Sequence, residues 1–258
     1  MKNLLKISHL FLLLSCVACG NVSDMLPETH IPINIPDDIF CFREANAAYA
    51  ASFSSLKPIY YNPINPSTEF LANEYLLAYS LTDKRYEYEE ELVPEEAVLM
   101  FDTYTGQINF DTYKDILPQL KSYLFNVKVY LDPISLQYIE IRTEELLDIS
   151  ITANTALFGR PAGESLNDKF ELYSTSGHAY LSPFFISTDK RLFTENVIQG
   201  LSIDEFLQCH PLCPAITYLK LKEIPTETPV QVQFTVTITI KDKAPISATT
   251  RAITLLNK

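Results

Sequence analysis

The stretch Val230-Gln231-Val232-Gln233-Phe234-Thr235-Val236-Thr237-Ile238-Thr239-Ile240-Lys241 decides the fold class. Its even-numbered positions are all apolar and its odd-numbered positions all polar, the period of a strand with one face in a core and the other in water. Twelve residues at about 3.3 Å each predict a strand about 40 Å long. Lys241-Asp242-Lys243-Ala244-Pro245 then breaks the pattern, and the β-branched run from Ile246 to Leu255 returns, so the C-terminus reads as an antiparallel hairpin.

Working outward, Phe125, Val127, Val129 and Leu131 alternate with Asn126, Lys128 and Tyr130 and stop at Asp132-Pro133. Tyr138 to Arg142 and Leu147 to Thr152 continue in the same manner. Leu76 to Tyr88 and Tyr180 to Phe193 each carry a Thr-Asp-Lys-Arg word, at Thr82–Arg85 and Thr188–Arg191, which suits a hairpin loop. A second repeated word, Phe101–Tyr104 and Phe110–Tyr113, has no longer period behind it and reads as reused strand chemistry rather than duplication. Helices are short: Ser202-Ile203-Asp204-Glu205 is a capping box, Tyr113 to Leu117 ends at Pro118, and Ser165 to Leu172 makes two turns. The expectation is a mainly β chain, an antiparallel β-sandwich of immunoglobulin-like type with two or three short helices. No linker interrupts residues 41–258, which predicts a single domain; the competing two-domain division would fall near Leu117-Pro118.

Composition agrees with a packed body. The 258 residues are 47% hydrophobic and 20% charged, enough apolar side chain per charge to bury a core and exclude wholesale disorder. A net charge of −12 argues against a nucleic-acid partner, because phosphate binding needs a Lys/Arg footprint.

The N-terminus carries an address. Lys2 and Lys6 precede the apolar run Ile7 to Leu14, too short to span a bilayer, which takes about 20 apolar residues. That is the order of a secretory signal peptide. Leu13-Leu14-Ser15-Cys16 resembles the lipobox of bacterial lipoproteins, a resemblance that implies cleavage before Cys16 and a diacylglycerol on its sulfur. Cys19, preceded by Ala18, is the alternative acceptor, and an ordinary cleavage after Ala18 is the unlipidated reading. Residues 1–15 then form the signal peptide and residues 16–40 a lipidated cysteine followed by a Pro-rich tether of about 25 Å reach. Within it, Ile31, Ile33 and Ile35 alternate and would also suit an edge strand. Losing Lys2 and Lys6 takes the mature chain two charges further below −12, so the acyl chains rather than the protein surface would hold an anionic membrane.

Catalytic motifs are missing from the sequence. No P-loop, GxGxxG, HExxH or EF-hand can be assembled, and Gly163-Glu164-Ser165-Leu166-Asn167 lacks the second glycine of a nucleophile elbow, which leaves Ser165 as a helix cap. His178 belongs to a small-residue loop. Cys209-His210-Pro211-Leu212-Cys213 holds the densest chemistry. In an exported chain Cys209, Cys213 and Cys41 are disulfide candidates; free thiols and a metal site are the competing readings, and no metal or other cofactor is assigned. Glu87, Glu89, Glu90, Glu91, Glu95 and Glu96 read as a solvated face in preference to a calcium site. The 15 Tyr and 15 Phe read chiefly as core and cross-strand packing rather than a sugar-stacking platform.

The lipobox on a β-rich body is similar to uncharacterised cell-envelope lipoproteins of Bacteroides-type bacteria, and Pro161-Ala162-Gly163-Glu164-Ser165-Leu166-Asn167-Asp168-Lys169-Phe170 resembles a segment recurring in them. The resemblance implies attachment to the outer membrane, on its periplasmic or surface side, and no catalytic residue. The functional expectation is a non-enzymatic binding or structural module for a protein or glycan. The competing expectation is a fimbrial-type subunit that donates a strand, with Ile246 to Leu255 as the donor.

Overall fold

The alternation at the C-terminus is realised with a corner in it. A computed structural model describes residues 40–55, 67–82, 118–119, 122, 139–173, 185–193 and 195–257, all within one compact unit, Pro36–Lys258. Its strands are β1 (Phe40–Arg43), β2 (Ala47–Ser54), β3 (Glu69–Leu71), β4 (Tyr75–Thr82), β5 (Ile139–Arg142), β6 (Leu146–Ala153), β7 (Phe170–Tyr173), β8 (Phe185–Ile186), β9 (Leu192–Phe193), β10 (Ile216–Leu221), β11 (Val230–Val232), β12 (Phe234–Ile240), β13 (Ile246–Thr249) and β14 (Ile253–Leu256). Two short helices, α1 (Glu195–Ile198) and α2 (Ile203–Gln208), lie between β9 and β10.

The twelve-residue strand expected at Val230–Lys241 is two strands, and its return is also two. β12 pairs with β13 and β6, whereas β11 pairs with β14, which runs parallel to β3. Both arms break at one level, Gln233 on one and Thr250–Ala252 on the other, so the hairpin turns from one sheet into the next. Side chains replace the ladder at this corner. Phe234 N donates to Thr250 Oγ1 at 3.0 Å, Gln233 Nε2 donates to Thr250 O at 3.1 Å, and Gln233 N donates to Asn154 Oδ1 at 2.8 Å. Buried backbone groups need such partners wherever regular pairing stops.

The layers follow from the pattern. The antiparallel sheet β2-β4-β10-β7 packs one face against the strands of β13-β12-β6 and β11-β14-β3, a sandwich-like, mainly β arrangement. Tyr75, Leu77, Tyr79, Leu219 and Phe170 meet Ile149, Ile151, Phe234, Val236, Ile238 and Leu255, all fully buried. A buried side chain of this size contributes about 1.5–3 kcal/mol. Phe234 sits at the centre, its ring 5.4 Å from Tyr75 and 5.7 Å and perpendicular to Phe170.

Every residue of β4 is buried, because the outer face of its sheet carries a second cluster of Ala51, Phe53, Leu76, Ala78 and Tyr218. Two alanines in cross-strand register, Ala51 and Ala78, are small enough to let Phe53 and Tyr218 meet edge to face at 6.1 Å. Most of the aromatic side chains described here are accounted for by such packing.

Several expectations are corrected. Both edges of β4 are taken, by β2 and β10, and residues 83–88 of the hairpin expected at Thr82–Arg85 lie outside the described residues. Ser165–Leu172 is a 3-10 turn over Asn167–Lys169 followed by β7; Phe170 and Leu172 alternate into the core, and period 2 prevails over period 3.6 in so short a run. Ser165 therefore caps no α-helix. Pro118, expected to stop a helix, is itself helical, with Gln119. Among the described strands two pairs, β1 with β5 and β14 with β3, are parallel and the rest antiparallel. The turn at Thr188–Arg191 does join β8 to β9, and the Ser202 capping box does start α2, with Glu205 N donating to Ser202 Oγ at 3.2 Å. Phe125–Leu131, Tyr113–Leu117 and Ile31–Ile35 lie outside the described residues.

Candidate functional site

The Cys209–Cys213 motif is a stitch between sheets. Cys209 caps the end of α2, where its thiol donates to Glu205 O at 3.5 Å, and His210 turns the chain through a φ of 50°. Pro211 and Leu212 then run as an extra strand between β6 and β8: Leu146 N donates to Pro211 O at 2.9 Å and Leu212 N to Ile186 O at 2.6 Å. Cys213 N donates to Glu144 O at 2.8 Å, which carries its thiol into the core at 2% exposure. Cys209 and Cys213, both disulfide candidates, stand as free thiols; one is held at the helix end and the other beside the β5–β6 connection. Cys41 stands on β1 in register with Glu140.

Around Cys213 lies a cluster of charged side chains. Arg142 is 1% exposed and donates to Leu81 O through Nη2. Glu144 accepts from Lys243 Nζ at 2.7 Å and from Ala45 N at 3.0 Å. Lys243, on the β12–β13 turn, also reaches Asn46 Oδ1 at 2.7 Å and Ala45 O at 3.2 Å, tying the C-terminal hairpin to the start of β2. Next to it, Glu145 takes Lys241 Nζ at 3.0 Å and faces His210 Nδ1 at 3.5 Å.

The electrostatics of this cluster run away from reactivity. Burial pushes the Cys213 thiol up to about 12, and Glu144 adds to it against Arg142 and Lys243. Burial alone would raise Glu144, but the Lys243 and Ala45 hydrogen bonds outweigh it and hold the carboxyl below its usual range. Glu145 is lowered first by Lys241. Tyr79, fully buried in register with Thr217, is raised by burial. A thiol so firmly protonated is a poor nucleophile, and a carboxylate so firmly ionised is a poor proton carrier near neutrality.

A second constellation surrounds the Pro161–Phe170 stretch. Leu157 and Arg160 exchange both backbone hydrogen bonds at 3.0 Å around Phe158 and Gly159, whose φ values are 56° and 71°. The Glu227 carboxylate accepts from Gly159 N at 2.7 Å and Phe158 N at 3.0 Å and is lowered by them. Arg160 forks onto Asp168 with bonds of 2.6 and 2.7 Å. Asn167 faces the edge of β6: its Nδ2 donates to Ile149 O at 2.6 Å and its Oδ1 accepts from Ile151 N at 2.9 Å. A single amide thus reproduces the pairing of a neighbouring strand. Ser165 lies exposed in this loop, with no histidine among the partners its hydrogen bonds show.

The acceptor cysteines Cys16 and Cys19, His178 and the acidic run Glu87–Glu96 lie outside the described residues. Among the described residues no group of three or more His, Cys, Asp or Glu is placed to hold a metal ion, and no helix is long and apolar enough to cross a membrane. Sequence reasoning missed Arg142, which it placed on the polar side of a strand, and Asn167, whose role depends on an edge that the sequence does not reveal. No family model, curated protein or solved structure matches the chain.

Proposed function

We propose that this chain is a lipid-anchored, non-enzymatic module of the bacterial cell envelope, held by diacylglycerol on Cys16, with Cys19 the alternative, and presenting its β-body to a protein or glycan. The observation that carries the reading is the basic and apolar leader ending in Leu13-Leu14-Ser15-Cys16, and the directions of titration agree with a presenting body. Six carboxylates of the described residues are shifted, Glu144, Glu145, Asp168, Asp189, Glu205 and Glu227, and all six move down. The thiol Cys213 and the phenols Tyr79 and Tyr218 move up. Sites of acid–base chemistry do the reverse, bringing a group toward neutrality. Each of these groups is held in its resting form by an ion pair, a backbone N–H, a hydroxyl or burial, which suits a rigid presenting scaffold. The Pro-rich stretch read as a tether, which ends before β1 begins at Phe40, and the signal-peptide order before it support the anchor.

Strand donation by Ile246–Leu255 finds less support, because β13 lies on β12 and β14 is paired on both edges, by β11 and β3. Expression of Cys16→Ala and Cys19→Ala variants in a bacterial host, followed by membrane fractionation, tests the reading. Loss of membrane association in Cys16→Ala alone is the expected result; retention in the soluble fraction of the unaltered protein contradicts it.

A further inference from the structure

The outer edge of β6 is closed by the loop that precedes β7, and we propose that this clasp keeps the chain monomeric by denying β6 to the β6 of a second copy. β6 is eight residues long and pairs on its inner side with β12 along its whole length. Its outer side directs the backbone groups of Ile149, Ile151 and Ala153 away from that partner, a row of the kind that templates edge-to-edge association. The loop takes four groups of that row, and at the start of the strand Leu146 N is taken by Pro211 O at 2.9 Å. Asn167 takes Ile149 O and Ile151 N, Leu166 N donates to Ile151 O at 2.8 Å, and Gly163 N donates to Ala153 O at 2.8 Å.

The clasp is locked at three further points. Arg160 grips Asp168, Glu227 holds the Phe158–Gly159 turn, and Gly163 adopts a φ of 83° that a side chain would strain. The edge strand β7 has a cover of its own, bonding on its outer side to the Gly200–Leu201 backbone at 2.8–2.9 Å.

The partner follows from β6 itself. Set antiparallel against its own copy with Ser150 on the two-fold axis, β6 places Ile149 opposite Ile151, so the groups the clasp now occupies bond to one another across the axis. In that register Asp148 faces Thr152 and no like charges meet. The result is one continuous sheet through both copies, β13-β12-β6 and its mirror in order.

The test uses the full chain with Asn167→Ala and Gly163→Val, which open the clasp at two points, combined with Ser150→Cys on the axis. Residue 150 would form a non-hydrogen-bonded pair with Cα atoms about 4.5 Å apart, within reach of a disulfide. On a non-reducing gel after mild oxidation, the clasp-open chain is expected to give several times more cross-linked dimer than Ser150→Cys with the clasp intact, and the clasp-open chain without Ser150→Cys gives the background of the native cysteines. Circular dichroism confirms that each variant is folded, and Asn167→Ala alone replaces the double change if that one unfolds. Equal cross-linking with the clasp open or closed, or a folded clasp-open chain that never exceeds background, overturns the proposal.

Discussion

The C-terminal hairpin and the Pro161–Phe170 clasp lie on either side of β6 and owe their order to opposite kinds of interaction. The hairpin is ordered by apolar burial: Phe234, Val236, Ile238 and Ile240 face the core at 0–1% exposure while Thr235, Thr237 and Thr239 face outward. Apart from Leu166 and, where it runs into β7, Phe170, the clasp keeps its side chains exposed or half-buried and is ordered by Asn167, Asp168, Arg160 and Glu227, each bound to a specific backbone group or charge. Burial is non-directional and tolerates small shifts, whereas a side-chain amide serving as a strand works only in one place. The hairpin should therefore respond to lost volume, and the clasp to lost atoms.

The largest expected effect is in the hairpin. Phe234→Ala removes the ring between Tyr75 and Phe170 and should cost about 3–5 kcal/mol in urea unfolding, as large-to-small core changes do. A loss below 1 kcal/mol would mean that the corner at Gln233 leaves the core slack. Next comes Asn167→Ala, read at low protein concentration, where two bonds to β6 disappear and their backbone partners lose their cover; about 1–3 kcal/mol is expected from the same measurement. If the clasp were ordered by burial instead, this change would cost almost nothing.

A pH titration of stability reads the charged contacts of both regions together, and a substitution assigns each share. Glu144 in the hairpin staple and Asp168 and Glu227 in the clasp are all held below their usual range. Their contribution is complete above the unfolded carboxylate range, near pH 4 to 4.5, and is lost as pH falls through the lower folded values. Stability should thus be level from pH 7 to about 5 and decline below that. Glu227→Gln should flatten part of the decline, and an unchanged acid limb would remove Glu227 from the account. The smallest effect belongs to Thr237→Val. It breaks one outward hydroxyl pair with Ser247, 2.8 Å long, and should change stability by about 0.2–1 kcal/mol, measured as a shift in Tm.

The same contrast explains what was legible in the sequence. Alternation announces the hairpin, and the Ser202–Glu205 spacing announces α2, because both signals are local and periodic. The corner was hidden because Val232, Gln233 and Phe234 keep their alternation of buried, half-buried and buried through the break. A side-chain period of 2 registers which face a residue takes and says nothing about which sheet it joins. The parallel pairing of β14 with β3 joins residues far apart in sequence, and no local pattern encodes it. Arg142 follows two apolar positions in a readable strand and ends fully buried against Leu81 O; nothing near it in sequence marks that fate. The Cys209–Cys213 motif was read for its chemistry, yet its main task is to let Pro211 and Leu212 join β6 to β8.

Opening the clasp and deleting the anchor are independent interventions, since the first acts on β6 and the second on residue 16. The anchor bears most directly on what the molecule is for. Intact mass of the protein extracted from its native membrane tests it: the account predicts a chain that begins at Cys16 and carries the added mass of a diacylglycerol, and an unmodified chain beginning at Cys19 would contradict it.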